Sequence, residues 1–264
     1  MLTRIITAVV ALAVFVPILY FASTPALPIA LAVLCVIAVY EMYSCVGMKK
    51  CYPLLVVSAL AGASLPLLAR FKPEYMASVA VFVIVFALFE AVFGFRKYTI
   101  DAIGFVTFET LVTSLGFSLM VLVRDRQPIQ YLLIFIAAWG TDTFAYFVGK
   151  FFGKRKLCPE ISPKKTVAGG IGGVVGCMVG FEVFALVCNN FFDCDFSYIV
   201  LPLVAIPLSV CGQVGDLAAS LVKRRYGIKD YGKLFPGHGG VLDRFDSILP
   251  ISIFAFILTE LNIL

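Results

Sequence analysis

Charged side chains are scarce in this sequence. Only 14% of its 264 residues are Asp, Glu, Lys or Arg, whereas 61% are hydrophobic. A soluble domain carries about a quarter charged residues. The mean hydropathy of +1.02 points the same way. The composition therefore excludes an ordinary soluble domain and predicts an integral membrane protein.

Histidine and paired cysteines are also lacking. Histidine occurs once, as His238, and the eight cysteines include no C-x-x-C pair. We interpret the cysteines as small buried hydrophobic residues rather than zinc ligands or disulfides, with Cys188 and Cys194 as the one pair to check. No Ser-His-Asp or Cys-His arrangement is evident either.

Long apolar runs predict an all-α, polytopic integral membrane protein. About nine transmembrane helices in one bundle are expected, at residues 3–21, 27–43, 53–70, 76–93, 103–123, 129–149, 167–188, 198–219 and 247–263. Some runs are short, and the second and third could be partly re-entrant or interfacial, so the count is good to about one helix. We divide the chain into scaffold helices, residues 1–125, and a part that carries the active site, residues 126–264.

Basic residues are distributed unequally between alternate loops. Of the 21 Lys and Arg residues, 17 lie on the side of the N-terminus, and four lie on the other side. The positive-inside rule therefore predicts a cytoplasmic N-terminus and cytoplasmic active-site loops in the cell (plasma or inner) membrane. The net charge of +5 is a weak argument for nucleic acid, and we expect no nucleic-acid partner. Lipid headgroups and nucleotide phosphates suit these loops better.

The most distinctive stretch covers residues 209–246. Read as a helix, its first half places Ser209, Gln213, Asp216, Ser220 and Lys223 on one polar face. An ionisable residue inside a membrane span needs a partner, so we expect a cation beside Asp216. The second half combines basic residues, acidic residues and glycines, a mixture that points to phosphate and a metal ion together. A loop that only sets topology would need no acidic residues and no polar helix face.

Two earlier segments are also polar. Trp139, Asp142 and Tyr146 share a helix face, and Asp142 either meets the same cavity as Asp216 or is a buried Asp hydrogen-bonded to Thr143 or to a facing Ser. The run Ser162-Pro163-Lys164-Lys165-Thr166 is predicted to open the seventh helix, where free amides and the helix dipole favour phosphate. Gly172, Gly176 and Gly180 then predict close packing against another helix.

These motifs carry a family resemblance. The stretch SLVKRRYGIKDYGKLFPGHGGVLDRFD resembles the signature of the phosphatidate cytidylyltransferases, or CDP-diglyceride synthetases. The W-x-x-D-T-x-A-Y and S-P-K-K-T segments are similar to two further elements of that family. The resemblance implies a Mg²⁺-dependent reaction in which CTP and phosphatidate give CDP-diacylglycerol and pyrophosphate. It leaves open a second metal ion and a homodimer.

The resemblance, together with side-chain chemistry, predicts a role for each residue. Asp216 and Asp243 are expected to bind the metal, with Asp246 as a third candidate. The predicted catalytic residues include four that neutralise charge, namely Lys223, Arg224, Lys229 and Arg244. The fifth, His238, is expected either to donate a hydrogen bond to a phosphate oxygen or to carry a proton. The predicted substrate contacts are Asp142, Thr143, Tyr146, Ser162, Lys164, Lys165, Thr166, Ser220, Gly239 and Gly240. We expect Asp142, Asp216 and Asp243 to line one cavity.

Other interpretations were weighed. Glu41, Glu90 and Glu109 are interpreted as structural positions in or near spans rather than catalytic residues. A transporter or flippase would use Asp142 and Asp216 for a coupling ion, but no inverted repeat is evident. A nearer alternative is another CTP-dependent membrane enzyme, either a polyprenol kinase or a cytidylyltransferase for ether lipids.

Overall fold

The computed structural model describes residues 2–264, apart from the side chains of residues 2–6 and 8. The described chain is almost entirely helical. Its α-helices are α1 (Leu2–Tyr20), α2 (Ala26–Val46), α3 (Tyr52–Phe71), α4 (Met76–Phe93), α5 (Ile100–Arg126), α6 (Leu132–Phe152), α7 (Val167–Phe191), α8 (Val200–Arg225), α9 (Leu242–Phe245) and α10 (Ile248–Glu260). A single 3-10 turn, Pro73–Tyr75, precedes α4. Two strands, β1 (Lys156–Cys158) and β2 (Ser162–Thr166), pair antiparallel between α6 and α7.

Seven stretches of the described residues are long and apolar enough to cross a membrane. They correspond to α2 through α8, with the turn before α4 included in its span. The segments Val9–Tyr20 and Ile248–Glu260 are shorter apolar helices. With 13 residues, α10 reaches about 20 Å, which is less than the roughly 30 Å of a hydrocarbon core. The all-α membrane fold is thus confirmed, the count of nine is not, and the second and third runs are long enough to span.

The helices fall into two compact units. The first unit contains the chain up to Asp125 together with Arg225–Phe245. The second unit contains Arg126–Arg224 and Asp246–Leu264. The loop that follows α8 therefore packs with the N-terminal helices, although the sequence places it among the C-terminal ones.

In the first unit, α2 packs on α3 and α3 packs on α4. Tyr43 and Phe117 are among the largest fully buried side chains there. The Tyr43 hydroxyl is 2.8 Å from Ser58 Oγ, so the buried phenol has a hydrogen-bond partner. The loop after α8 packs in the same unit as these helices.

In the second unit, glycines let α6 and α7 lie close together. A Cβ added to Gly172 would be 2.5 Å from Val148 Cβ, and one added to Gly180 would be 3.0 Å from Ile136 Cγ2. At Gly176 an added Cβ would overlap the Phe144 side chain. The predicted glycine packing face is confirmed, because backbones can approach this closely only where side chains are absent.

Adding one methyl group at this helix contact should destabilise the fold. We expect Gly176→Ala to lower the thermal unfolding midpoint in detergent, because overpacking a close contact costs about 1–3 kcal/mol. Gly104→Ala in α5 is the matched control, since nothing lies within 4 Å of its added Cβ. Equal midpoints for the two variants would contradict this account of the α6–α7 contact.

Candidate active site

The polar face of α8 forms a ladder of hydrogen bonds within the second unit. Ser209 is fully buried, and its Oγ accepts a hydrogen bond from Thr141 Oγ1 at 2.7 Å. Gln213 Nε2 donates to Ser209 Oγ at 3.3 Å and to the Gly170 carbonyl oxygen at 3.1 Å. Because each rung satisfies polar atoms on α6 or α7, the ladder holds α8 to both helices. The predicted polar face is confirmed.

Asp216, farther along this face, has the cation that was expected. Lys165 Nζ is 2.6 Å from Asp216 Oδ2, and the side chains are 28% and 29% exposed. Ser220 Oγ donates to Asp216 Oδ1 at 3.5 Å. The lysine-rich segment and the first half of the signature stretch therefore meet through opposite charges.

The lysine-rich segment differs from its predicted conformation. Ser162–Thr166 forms strand β2, held extended by pairing of Thr166 with Lys156 and of Ser162 with Cys158. Only Thr166 lies at the start of α7, where its Oγ1 caps the helix by accepting a hydrogen bond from Gly169 N at 3.1 Å. The expectation that all five residues open the seventh helix was wrong. Both lysines therefore lie in the paired strand, before α7 begins.

The strand conformation separates the two lysines by environment. Successive side chains along a strand point to opposite faces. Lys164 is exposed, whereas Lys165 is half-buried against Asp216. Ser162 is half-buried as well. Lys164 is thus the lysine of this segment that is presented to solvent.

Asp246 lies just before α10, where α8 approaches closely. A Cβ added to Gly215 would be 2.5 Å from the Asp246 carbonyl oxygen, so a glycine is needed beside Asp216. The pKa of Asp246 is raised to about 7, chiefly by burial and next by the negative charge of Asp216. Lys223 and the Ser247 N–H, which donates to Asp246 Oδ1 at 2.8 Å, act in the opposite direction.

The carboxylates of the second unit suit a magnesium ion. Asp142 also raises the pKa of Asp246, so three acidic side chains share this region. No group of three or more His, Cys, Asp or Glu among the described residues is arranged to hold a metal by itself. Mg²⁺ in nucleotide enzymes is held by one or two carboxylates together with phosphates and water. Asp216 and Asp246 fit that requirement, because a divalent cation would relieve the repulsion between them.

The predicted residues on α6 are exposed. Asp142, Thr143 and Tyr146 all lie on this exposed part of the helix. The alternative of a buried Asp142 is therefore wrong. The buried hydroxyl is that of Thr141, which the sequence analysis did not select. Its position one residue before Asp142 places it about 100° around the helix, on the inward face.

In the first unit, the Pro236–Gly240 run forms a tight turn. Phe235 and Gly239 pair through both backbone hydrogen bonds, at 2.9 and 3.1 Å. Gly237 and Gly239 have φ angles of 78° and 89°, which residues with a Cβ rarely adopt. His238 Nδ1 is buried and has no hydrogen-bond partner in the described part of the chain. Its predicted role toward phosphate stays a prediction.

Asp243 organises the loop around this turn. Its side chain is buried, and Oδ2 accepts hydrogen bonds from Tyr231 N at 2.7 Å and Gly240 N at 2.9 Å. A Cβ at Gly239 would lie 2.6 Å from the same oxygen, so the loop wraps closely around the carboxylate. Asp243 belongs to the first unit, and the expectation that it lines one cavity with Asp142 and Asp216 stays a prediction.

Glu41 has structural partners that the sequence analysis did not identify. It lies on α2, is 5% exposed, and accepts hydrogen bonds from Val241 N at 3.0 Å and Leu242 N at 2.9 Å. No local pattern could connect residues 200 positions apart in the chain. The available signal was a carboxylate inside an otherwise apolar helix, which requires a partner.

The remaining basic residues lie near the loop ends. Lys223 is half-buried, and Arg224 is exposed with its Nε donating to the Ile161 carbonyl oxygen at 3.4 Å. Lys229 and Arg244 are exposed. Their predicted catalytic roles stay predictions.

The raised pKa of Asp246 predicts how stability depends on pH without divalent cations. Because its folded pKa of about 7 exceeds the ordinary 3.8, protonated Asp246 favours the folded state. This contribution is fully present below the unfolded pKa and is lost as the pH rises through the folded one. We expect the thermal unfolding midpoint to fall across this window, and to fall less in Asp246→Asn. Parallel curves for both proteins would contradict the assignment.

Comparison with known proteins identifies the family. The cytidylyltransferase family model matches residues 2–262. A phosphatidate cytidylyltransferase of Staphylococcus haemolyticus is 34% identical, over 100% of this chain and 98% of that protein. One from Staphylococcus aureus strain COL is likewise 34% identical over 100% and 98%. One from Bacillus subtilis is 42% identical over 69% of this chain and 68% of that protein. The match over nearly every residue shows that the chain belongs to the cytidylyltransferase family.

Proposed function

We propose that this membrane enzyme transfers the cytidylyl group of CTP to phosphatidate, with Mg²⁺, at the site around Asp216. It makes CDP-diacylglycerol and pyrophosphate for phospholipid biosynthesis, as the names of its full-length relatives indicate. The observation that carries the assignment of the site is the Lys165–Asp216 pair, 2.6 Å apart. It joins a lysine segment suited to phosphate with a carboxylate suited to a metal ion.

The reaction needs positioning and charge neutralisation. A phosphate oxygen of phosphatidate attacks the α-phosphorus of CTP, the bond from that phosphorus to the bridging oxygen of the β-phosphate breaks, and pyrophosphate leaves. Two anions must be brought together, which fixed cations make less unfavourable. No covalent intermediate with the protein is required. This agrees with a site composed of carboxylates, lysines and arginines.

The proposed roles follow the environment of each residue. Bound Mg²⁺ supplies positive charge to the phosphates, and Asp216 and Asp246 are the residues that would hold it in the second unit. Asp243, in the first unit, is proposed separately as a metal ligand on its carboxylate chemistry and its place in the signature. Lys164 is exposed and suited to the CTP triphosphate.

The other proposed contacts serve the two substrates. Thr143 and Tyr146 on the exposed part of α6 are suited to the lipid substrate. Lys223, Arg224, Lys229 and Arg244 are proposed to neutralise phosphate charge. A homodimer is compatible with this chemistry and is not required by it.

We place the basic loops in the cytoplasm, where CTP is available. The distribution of 17 against four basic residues between the two sides supports this orientation. Phosphatidate stays anchored in the bilayer by its acyl chains while its headgroup meets the nucleotide. Cysteine accessibility from either side of sealed vesicles would test the orientation directly.

Product analysis tests the activity. Purified protein is incubated with CTP, Mg²⁺ and phosphatidic acid, and both pyrophosphate and CDP-lipid are measured. Equal release of both products is expected, and removal of Mg²⁺ by chelation should abolish it. Turnover of CTP only when polyprenol replaces phosphatidate, with a lipid phosphate as product, would overturn the proposal.

The metal-ligand assignment predicts the effect of neutral isosteres. Asp216→Asn and Asp243→Asn should each reduce turnover to less than about a tenth of wild type at saturating Mg²⁺, because an amide is a poorer ligand for a hard cation. Asp193→Asn is the control, since Asp193 is exposed with φ of 50°, which Asn adopts readily. Retention of more than this residual rate by a folded Asp216→Asn or Asp243→Asn protein would remove that residue from the metal site.

The CTP contact predicts a selective change in apparent affinity. Lys164→Ala should raise the KM for CTP by about tenfold, the equivalent of about 1.4 kcal/mol, and change the KM for phosphatidate much less. Lys72→Ala is the control, because its side chain is 64% exposed and predicted to lie on the opposite side. A change confined to the phosphatidate KM would instead assign Lys164 to the lipid substrate.

A further inference from the structure

Glu41 contacts the signature loop from a distant part of the sequence. We propose that Glu41 is a positioning residue for the reaction, and that it fixes the backbone from which Asp243 projects. The inference rests on the proposed function, since it assigns Asp243 to the metal. Glu41 itself touches no substrate in this account and acts through the loop.

The hydrogen bonds define both the position and the orientation of the loop backbone. Glu41 Oε1 accepts from Val241 N at 3.0 Å, and Oε2 accepts from Leu242 N at 2.9 Å. Using both oxygens on consecutive amides restrains rotation as well as distance. Hydrogen bonds to an ionised carboxylate are roughly twice as strong as neutral ones, and burial removes competing water.

Two glycines show how closely the loop surrounds this carboxylate. A Cβ added to either Gly232 or Gly240 would overlap the Glu41 carboxyl group. The loop thus approaches Glu41 from two points that are eight residues apart in the numbering. A residue with any side chain at either point would displace the loop or Glu41.

The amides connect Glu41 directly to Asp243. Gly240 N donates to Asp243 Oδ2, and the next two amides along the chain donate to Glu41. Three consecutive N–H groups are therefore divided between two carboxylates, and the third belongs to the residue directly before Asp243. A change in the Glu41 contacts would therefore move the backbone at Leu242, which is bonded directly to Asp243.

A neutral isostere separates positioning from simple anchoring. Glu41→Gln keeps the size but places an NH₂ donor where an acceptor is needed, so one amide loses its partner. We expect turnover to fall at least about tenfold and the Mg²⁺ concentration for half-maximal activity to rise at least about threefold, with the phosphatidate KM changed less than about twofold. Glu41→Asp keeps the charge on a shorter side chain and should retain an intermediate rate.

Tyr43→Phe provides the control for a lost buried hydrogen bond. Tyr43 lies two residues after Glu41 on the same helix. The substitution removes its 2.8 Å hydrogen bond with Ser58 and leaves the loop contacts of Glu41 intact. All variants are compared per folded protein, with folding measured by size-exclusion chromatography and thermal unfolding. If Glu41→Gln and Tyr43→Phe show the same turnover and Mg²⁺ response, Glu41 is an anchor only and the inference is overturned.

Metal binding measured without turnover keeps the test independent of the proposed function. Mn²⁺, used in place of Mg²⁺, is titrated into each protein and the bound ion is followed by electron paramagnetic resonance. Weaker binding in Glu41→Gln than in Tyr43→Phe is expected, and equal binding would overturn the inference. A wild-type protein that binds Mn²⁺ but makes no CDP-lipid would refute the proposed function alone. If Glu41→Gln fails to fold, Glu41→Asp is compared with Tyr43→Phe in the same titration and decides the question by the same criterion.

Discussion

A carboxylate inside an apolar helix must be neutralised or fully hydrogen-bonded, and much of this structure follows from that constraint. The energetic cost of an unpaired charge in a hydrocarbon environment is several kcal/mol or more. Asp216 on α8 meets the requirement with a lysine from a strand, and Glu41 on α2 meets it with two backbone amides. Both partners lie in segments outside the spanning helices. The polar loops are therefore held to the helices by the carboxylates themselves.

Backbone amides and a lysine side chain differ in how firmly they hold a carboxylate. Backbone amides cannot leave without unfolding the loop, so Glu41 and Asp243 hold a fixed set of donors. A lysine side chain is flexible, and its charge can be replaced by another cation. Lys165 Nζ lies 2.6 Å from one oxygen of Asp216. The backbone amides thus fix the loop around Glu41 and Asp243, whereas Asp216 is paired with a side chain.

The sequence predicted those features that depend on local periodicity. The polar face of α8 and the glycine face of α7 were both read from spacing alone, because a helix repeats every 3.6 residues. Strand β2 was missed because five residues with two lysines and a proline carry no helix or strand period. The contacts of Thr141 and Glu41 were missed because their partners, Ser209 and the loop at Val241, are distant in the chain. Such long-range pairs form only in the folded chain and leave no local pattern in the sequence.

The charge environment of Asp246 bears on how this region would respond to a divalent cation. With Asp216 ionised and paired to Lys165, a second ionised carboxylate nearby would be repelled, and burial adds to that cost. Protonation of Asp246 is the alternative, and its pKa of about 7 makes the two states similar in free energy near neutral pH. A divalent cation would favour the ionised state by releasing a single proton. Under the proposed function, a site that takes up a metal ion together with an anionic nucleotide would gain from this balance, because protonation limits the repulsion between Asp216 and Asp246 before the ion binds.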